Sequence, residues 1–391
     1  MSGPMNHDAS HNVYGDPGHD PRRTGGPADP DGLDAHIAGL PYGVMAPEIL
    51  PGVPETAVPT APTAPQAHEV AVPFTETETE PEPEAERLRG VPAHVGNRPP
   101  SYPPHPLGRP SVRDSDLFAP FSPVVLLDGA QIGRLTVRAA SVRGDSHNWE
   151  GSCRQDAMAV TRIGPPEAEL LLLAVADGVG SALHSHVGSY QFSRLTAVYL
   201  DREAESIHAA LCARDGEELR VLATKAVAGA AAELRSAWAR TAQHQPRPYA
   251  DQDYATTLHV LLVPTDARIR DRVLFSVGDG GLFVLRDGRW EQGDPEGGED
   301  LLDTRTEALP HAYRSVKATV LRTAPGEVLL LGTDGITNPL TQKDPEFARH
   351  LAGAWGGPEV PSLSDFLWQA QTRAKSYDDD RTVICVWEEQ G

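Results

Sequence analysis

The order of apolar runs along the chain predicts an α+β protein with largely antiparallel sheets. Two observations lead there. Short apolar or alternating runs follow one another in quick order after residue 255, and only two paired helical regions interrupt the strands. That order lacks the regular strand–helix alternation of a parallel sheet. A third observation sets the limits of the folded unit. Of 36 prolines, 23 fall in residues 1–120 and 13 in the rest. Proline at that density with few aromatics buries too little apolar surface to offset the entropy of ordering.

Each element has its own justification. Residues 1–120 read as a disordered, acidic, Pro-rich arm, with 15 acidic and 7 basic residues in its first 113 positions. Within it, the alternating threonines and glutamates of residues 75–80 suit an acid-directed kinase, or are plain low-complexity linker. From about Val124 the texture changes, and residues 121–391 read as one domain. Leu135–Val142 partly alternates and predicts a strand. Glu169–Asp177 is apolar until its terminal acid and predicts a strand buried on both faces. His184–Glu203 spaces Val187, Phe192, Leu195, Val198 and Tyr199 as a helix does, and Ala-rich Glu217–Ala242 predicts a second helix. Strands return at Ala255–Val263, Val273–Val277, Leu282–Leu285, Ser315–Arg322 and Glu327–Gly332. Phe347–Ala354 and Leu363–Lys375 predict helices, and Thr382–Trp387 a closing strand.

Composition excludes several classes. The chain has 55 Asp and Glu against 34 Lys and Arg, a formal net charge of −21. Such a surface repels nucleic acid and anionic lipid, and no cluster of basic residues longer than a pair offsets it. Cys153, Cys212 and Cys385 are few, odd in number and widely spaced, which argues against a disulfide framework or a Cys-rich zinc site. The N-terminus lacks the basic and apolar regions of a secretory signal, and the longest apolar run, Leu170 to Ala176, is too short to span a bilayer. The expectation is a cytoplasmic protein with no nucleic-acid or membrane partner.

The chemical signal is the placement of aspartates. Predicted strands end in, or are bounded by, an Asp in a Gly-rich turn. The cases are Ala176-Asp177-Gly178-Val179-Gly180, Val277-Gly278-Asp279-Gly280 and Thr333-Asp334-Gly335. Asp378-Asp379-Asp380 precedes the final strand, and Asp156 opens another after Cys153-Arg154-Gln155. Asp-Gly alone is a common turn dipeptide. As a set, carboxylates brought to one edge of a sheet system would repel unless they shared cations, and hard oxygen ligands suit Mg²⁺ or Mn²⁺.

These motifs, in this order, resemble the metal-dependent serine/threonine protein phosphatases, the PPM or type 2C family, over about residues 132–388. The carrying segments are Gln155-Asp156-Ala157, residues 175–181, Ala255-Thr256-Thr257-Leu258, residues 275–281, residues 330–336 and Asp379-Asp380-Arg381-Thr382-Val383. Residues 144–156 resemble a bacterial branch of the family. The resemblance implies a four-layer α/β/β/α sandwich of two antiparallel sheets flanked by helices. It implies that Asp177 bridges two Mn²⁺ or Mg²⁺ ions, with the Gly178 carbonyl on one and Asp334 and Asp379 completing the other. Asp279, with Asp334, would form a third, weaker site, and Asp156 would hold metal-bound water. Asp378 and Asp380 are rivals of Asp379, which the spacing to Thr382 selects. Asp380 then stands where the family usually has Asn.

The chain departs from the pattern in three places. Gln155 replaces an acid. Gly151 stands where a phosphate-binding Arg is usual, and Arg143, His147 and Arg154 are the candidates to supply the positive partner. Val179 stands where some members have a histidine, which points to His147 or water as the acid. The expected function is hydrolysis of phosphoserine and phosphothreonine in proteins by a metal-bridging hydroxide. The expected partners are phosphorylated proteins and an opposing serine/threonine kinase, and the expected state is a monomer. The alternatives are a weakly active regulatory module that binds phosphoproteins or a kinase, and a hydrolase of small phosphoesters.

Overall fold

The computed structural model describes residues 92–389 except 105, 112–117, 242–247, 294–306 and 342–344. All described residues belong to the compact unit Glu78–Gly391. The disorder expected of residues 1–91 lies outside them. The strands in chain order are β1 (His94–Val95), β2 (Val125–Ile132), β3 (Leu135–Val142), β4 (Ala157–Ile163), β5 (Leu170–Ala176), β6 (Leu258–Pro264), β7 (Asp271–Val277), β8 (Gly281–Arg286), β9 (Arg289–Gln292), β10 (Lys317–Arg322), β11 (Val328–Gly332), β12 (Arg373–Ala374) and β13 (Arg381–Glu388). The helices are α1 (Asp145–Glu150), α2 (Ser185–Asp201), α3 (Ala204–Ala213), α4 (Gly216–Thr241), α5 (Asp334–Leu340), α6 (Glu346–Trp355) and α7 (Leu363–Ala370).

Two antiparallel sheets carry the fold: a five-stranded one in the order β10-β7-β6-β5-β4 and a six-stranded one in the order β2-β3-β13-β11-β8-β9. Strand β5 shows why they stack. All its residues are buried, so both faces need partners. Leu170, Leu172 and Ala174 join a core with Leu200 of α2 and Leu222, Ala226 and Ala230 of α4. Leu171, Leu173 and Val175 face the other way, into a core with Val137, Leu329, Leu331 and Ile384 of the six-stranded sheet. The outer face of that sheet packs Leu330 and Cys385 against Leu351 and Trp355 of α6 and Phe366 of α7. The result is the four-layer sandwich, with period-2 alternation sending successive side chains into different layers. Each fully buried leucine contributes about 1.5–3 kcal/mol.

Several elements differ from the sequence reading. The helix expected over Leu363–Lys375 stops at Ala370, and Arg373–Ala374 instead pairs in parallel with His94–Val95. This places residues within the expected arm on the domain. Arg373 N donates to Ala93 O, and Leu107 N and Gly108 N donate to Asn148 O. The folded unit therefore reaches back to at least residue 92 rather than starting at 121. Helices α1, α3 and α5 escaped detection because each is short or begins in a Gly-containing motif that also reads as a turn. Among the described residues no helix is long and apolar enough to cross a membrane.

Candidate metal centre

Antiparallel pairing gathers the aspartates. Strands β3, β5, β7 and β11 run toward one end of the sandwich, and β4, β6 and β13 start from it. The registers Ala157↔Ala176, Leu258↔Val277, Gly332↔Val383 and Arg381↔Val142 fix this alignment. Asp177, Asp279 and Asp334 therefore follow strands at the same end where Asp156, Asp379 and Asp380 precede them.

Threonine hydroxyls hold the ends in place. Asp177 N donates to Thr257 Oγ1 at 3.0 Å, and the Asp177 carbonyl accepts from Thr256 Oγ1 and Thr257 N, each at 2.8 Å. Gly178 forms a β-bridge with Thr256. Thr333 Oγ1 donates to Asp156 Oδ2 at 2.8 Å and accepts from Thr382 N at 3.1 Å, so one hydroxyl ties the two sheets together. Backbones meet closely here. A Cβ on Gly335 would lie 2.0 Å from Asp380 O, and one on Gly144 would lie 2.5 Å from Asp378 O. The glycine beside Asp334 is thus required by space, beyond any turn preference.

The carboxylates repel one another. Burial, then the charges of Asp156, Asp334 and Asp379, push the Asp177 carboxyl well above its usual range. Asp156 is raised by burial and by Asp380. Asp334 is raised to about 6, by burial first and then by Asp379 and Asp279. Asp379, whose side chain is half exposed, is also raised, by burial and by Asp380. Asp156 Oδ1 and Asp334 Oδ1 are buried and accept from no donor among the described residues. Acceptor oxygens without donors, crowded by like charges, form the donor set of a hard divalent cation. The residues present fit the metal that the family implies.

Asp380 has a different role. Its Oδ1 accepts from Gly144 N at 2.6 Å and faces His147 Nδ1 at 2.9 Å, while Oδ2 accepts from Gln155 N at 2.6 Å and Asp156 N at 3.2 Å. These partners hold its carboxyl below the usual range despite full burial. His147 responds in the opposite sense. Burial lowers its pKa, but the hydrogen bond and charge of Asp380, with Asp379 and Asp156 behind, raise it to about 9. His147 Nε2 lies 3.9 Å from Asp379 Oδ1. One ligand atom each from His147, Asp379 and Asp380 falls within 4.8 Å of the others.

The structure thus brings His147, Asp156, Asp177, Gly178, Asp334 and Asp379 together at one end, with exposed Asp279 close enough to act on Asp334. Arg154 lies at the same end. That side chain is 6% exposed, and Nη1 donates to Ser141 Oγ and Asp156 O, both at 2.6 Å. Arg154 thus braces the strand ends through Nε and Nη1. Arg143 is likewise buried, donating to Asn148 Oδ1 and Ser152 O. Of the three candidate positive partners, His147 is the one whose ring approaches the Asp379 and Asp380 carboxylates, while Arg154 meets the Asp156 carbonyl. Sequence reasoning missed the part played by Asp380, whose signal was an acid in place of the usual Asn, and by Thr333, which sits directly before Asp334.

A family profile described as Protein phosphatase 2C matches residues 143–368. The chain belongs to that family. No curated protein matches it. The similar solved structures include the S. agalactiae serine/threonine phosphatase, at 16% identity and a TM-score of 0.42, covering 65% of this chain and 100% of that one. The Mycobacterium tuberculosis serine/threonine phosphatase PstP/Ppp is 19% identical with a TM-score of 0.40, covering 68% of this chain and 100% of that one. The catalytic domain of PstP, solved with 2 manganese ions, is 20% identical with a TM-score of 0.40, covering 66% and 99%.

Proposed function

We propose that this phosphatase-family chain is a metal-dependent enzyme that hydrolyses phosphoserine and phosphothreonine in proteins, in the cytoplasm, opposite a serine/threonine kinase. The observation that carries the proposal is the set of mutually repelling carboxylates at one end of the sandwich, from buried Asp156 through partly buried Asp177 and Asp334 to half-exposed Asp379. Asp177, the Gly178 carbonyl, Asp334 and Asp379 would hold two Mn²⁺ or Mg²⁺ ions, and Asp279 with Asp334 a third and weaker one. Bound there, the cations would supply Lewis acidity, lowering the pKa of water and offsetting phosphate charge.

The chain's own groups do the rest. Asp156 Oδ1, buried and without a donor, accepts from the attacking water and orients it. His147 Nδ1 is engaged by Asp380, which leaves Nε2 to carry a proton toward the departing serine or threonine oxygen. With its pKa at about 9, His147 is protonated at neutral pH and also supplies positive charge beside the phosphate. The burial of both candidate arginines favours a second reading, a weakly active module that binds phosphoproteins. It predicts partner binding that survives Asp334→Asn, with negligible turnover.

The test is Mn²⁺-dependent release of phosphate from a phosphothreonine peptide. Asp177→Asn and Asp334→Asn should each lower the rate by roughly 100-fold or more. Variants equal to wild type would remove the enzyme reading.

A further inference from the structure

The family profile begins at residue 143, yet the helix that carries His147 is also held by residues before it. Leu107 N and Gly108 N both donate to Asn148 O, at 3.2 and 3.0 Å. The Tyr102 ring lies against Trp149, with centroids 6.2 Å apart. At the start of α1, Arg373 bridges: Nη2 donates to the Tyr102 carbonyl, and Nε donates to buried Asp145 Oδ2 at 2.6 Å. Lys375 Nζ donates to Ser101 Oγ at 2.5 Å, on the same side. At the other end of α1, Gly108 meets Gly151 so closely that a Cβ on Gly108 would lie 2.6 Å from Gly151 Cα. A helix of six residues has no stability of its own. Its position is set by what it touches.

We infer that residues 101–104 and 106–108 are a positioning element of the active site, clamping α1 at both ends and so setting where His147 Nε2 points. The inference rests on the reading that His147 serves the leaving group. Other contacts of the helix, Ser146 N and Oγ to Asp378 O at 3.0 and 2.9 Å, tie it to the Asp379 loop. Asp380 Oδ1 holds Gly144 N and His147 Nδ1 from the same loop, and residues 101–104 and 106–108 add a second restraint on the side of Asn148 and Trp149.

The test uses leaving groups of different demand, in the full-length chain with Mn²⁺. A threonine oxygen needs a proton to depart, whereas 4-nitrophenolate does not. His147→Ala should therefore lower kcat on a phosphothreonine peptide by about 100-fold or more and kcat on 4-nitrophenyl phosphate by a clearly smaller factor, since that substrate loses only the positive charge. Gly108→Val should reproduce that selective loss, since a misplacement of about 1 Å costs on the order of 100-fold. Tyr102→Ala, which removes only a half-buried ring, should show a smaller loss in the same ratio and keeps the test alive if Gly108→Val does not fold. Wild-type rates in both variants, with His147→Ala impaired, would overturn the inference and leave the site reading standing. Equal losses on both substrates would also overturn it, reducing the segment to a structural prop. A His147→Ala variant with full activity on the peptide would overturn the leaving-group reading and the inference together.

Discussion

Replacing Asp380 by Asn tests whether its carboxylate is committed to His147. Asn is what the family resemblance leads one to expect at this position, so a bland outcome is a real possibility on sequence grounds. The structure argues otherwise. Each carboxylate oxygen of Asp380 serves two groups: Gly144 N and His147 Nδ1 on one, Gln155 N and Asp156 N on the other. An amide offers one acceptor oxygen, so its NH₂ must face N–H donors whichever way it turns. The magnitude follows from His147, whose pKa rises from 6.5 to about 9. At about 1.36 kcal/mol per pH unit, that net shift is roughly 3 kcal/mol, from which burial has already subtracted and to which Asp379 and Asp156 add a part.

The pH dependence has a definite sign. A raised histidine pKa contributes fully below 6.5 and loses its contribution as pH climbs through about 9. A lowered carboxyl pKa, as at Asp380, contributes above the ordinary carboxylate pKa of about 4 and fades as pH falls. The pair therefore contributes most between about pH 4 and 6.5. Urea unfolding in EDTA at pH 6 should show Asp380→Asn less stable by about 2–3 kcal/mol, with the gap shrinking at pH 9.5. A difference under about 0.5 kcal/mol at pH 6, or one independent of pH, would refute the assignment.

Two further outcomes follow. Arg154→Met should lower stability by about 1–3 kcal/mol through lost hydrogen bonds to Ser141 and Asp156 O, while KM for a phosphopeptide stays within about twofold; a large rise in KM would return Arg154 to the phosphate. Mn²⁺ at about 100 times its Kd should stabilise the wild type by about 2.7 kcal/mol per site and should lower the raised carboxyl pKa values. Melting curves with and without Mn²⁺ should show that gain reduced in Asp334→Asn.

Much of this was legible in the chain itself. The run Leu170–Ala176 is apolar at every position because two layers share it, and a strand buried on both faces cannot be written otherwise. The turns after Ala176, Val277 and Gly332 announce themselves through Asp-Gly. What pattern could not supply was whether those turns meet. Arg154 has the right charge at the right distance along the chain to hold phosphate, and only packing shows its Nη1 committed to Ser141 and the Asp156 carbonyl. Asp380 looked like a rival ligand beside Asp379. One residue's difference in a strand start sends the two side chains to opposite environments, one half exposed toward the cluster and one buried under Gly144 and Gln155.

The amino-acid sequence by itself determined most of the strands, the long helices, the α+β class and the identity of the acids, because local periodicity and strand-end turns are short-range properties. Only the tertiary structure decided which acid faces the other carboxylates, which one holds His147, and that residues 101–104 and 106–108 pack against α1. Those outcomes depend on contacts between segments up to hundreds of residues apart, such as Arg373 with Tyr102. Burial and mutual charge, which set the chemistry of a carboxylate, exist only once the strands are paired.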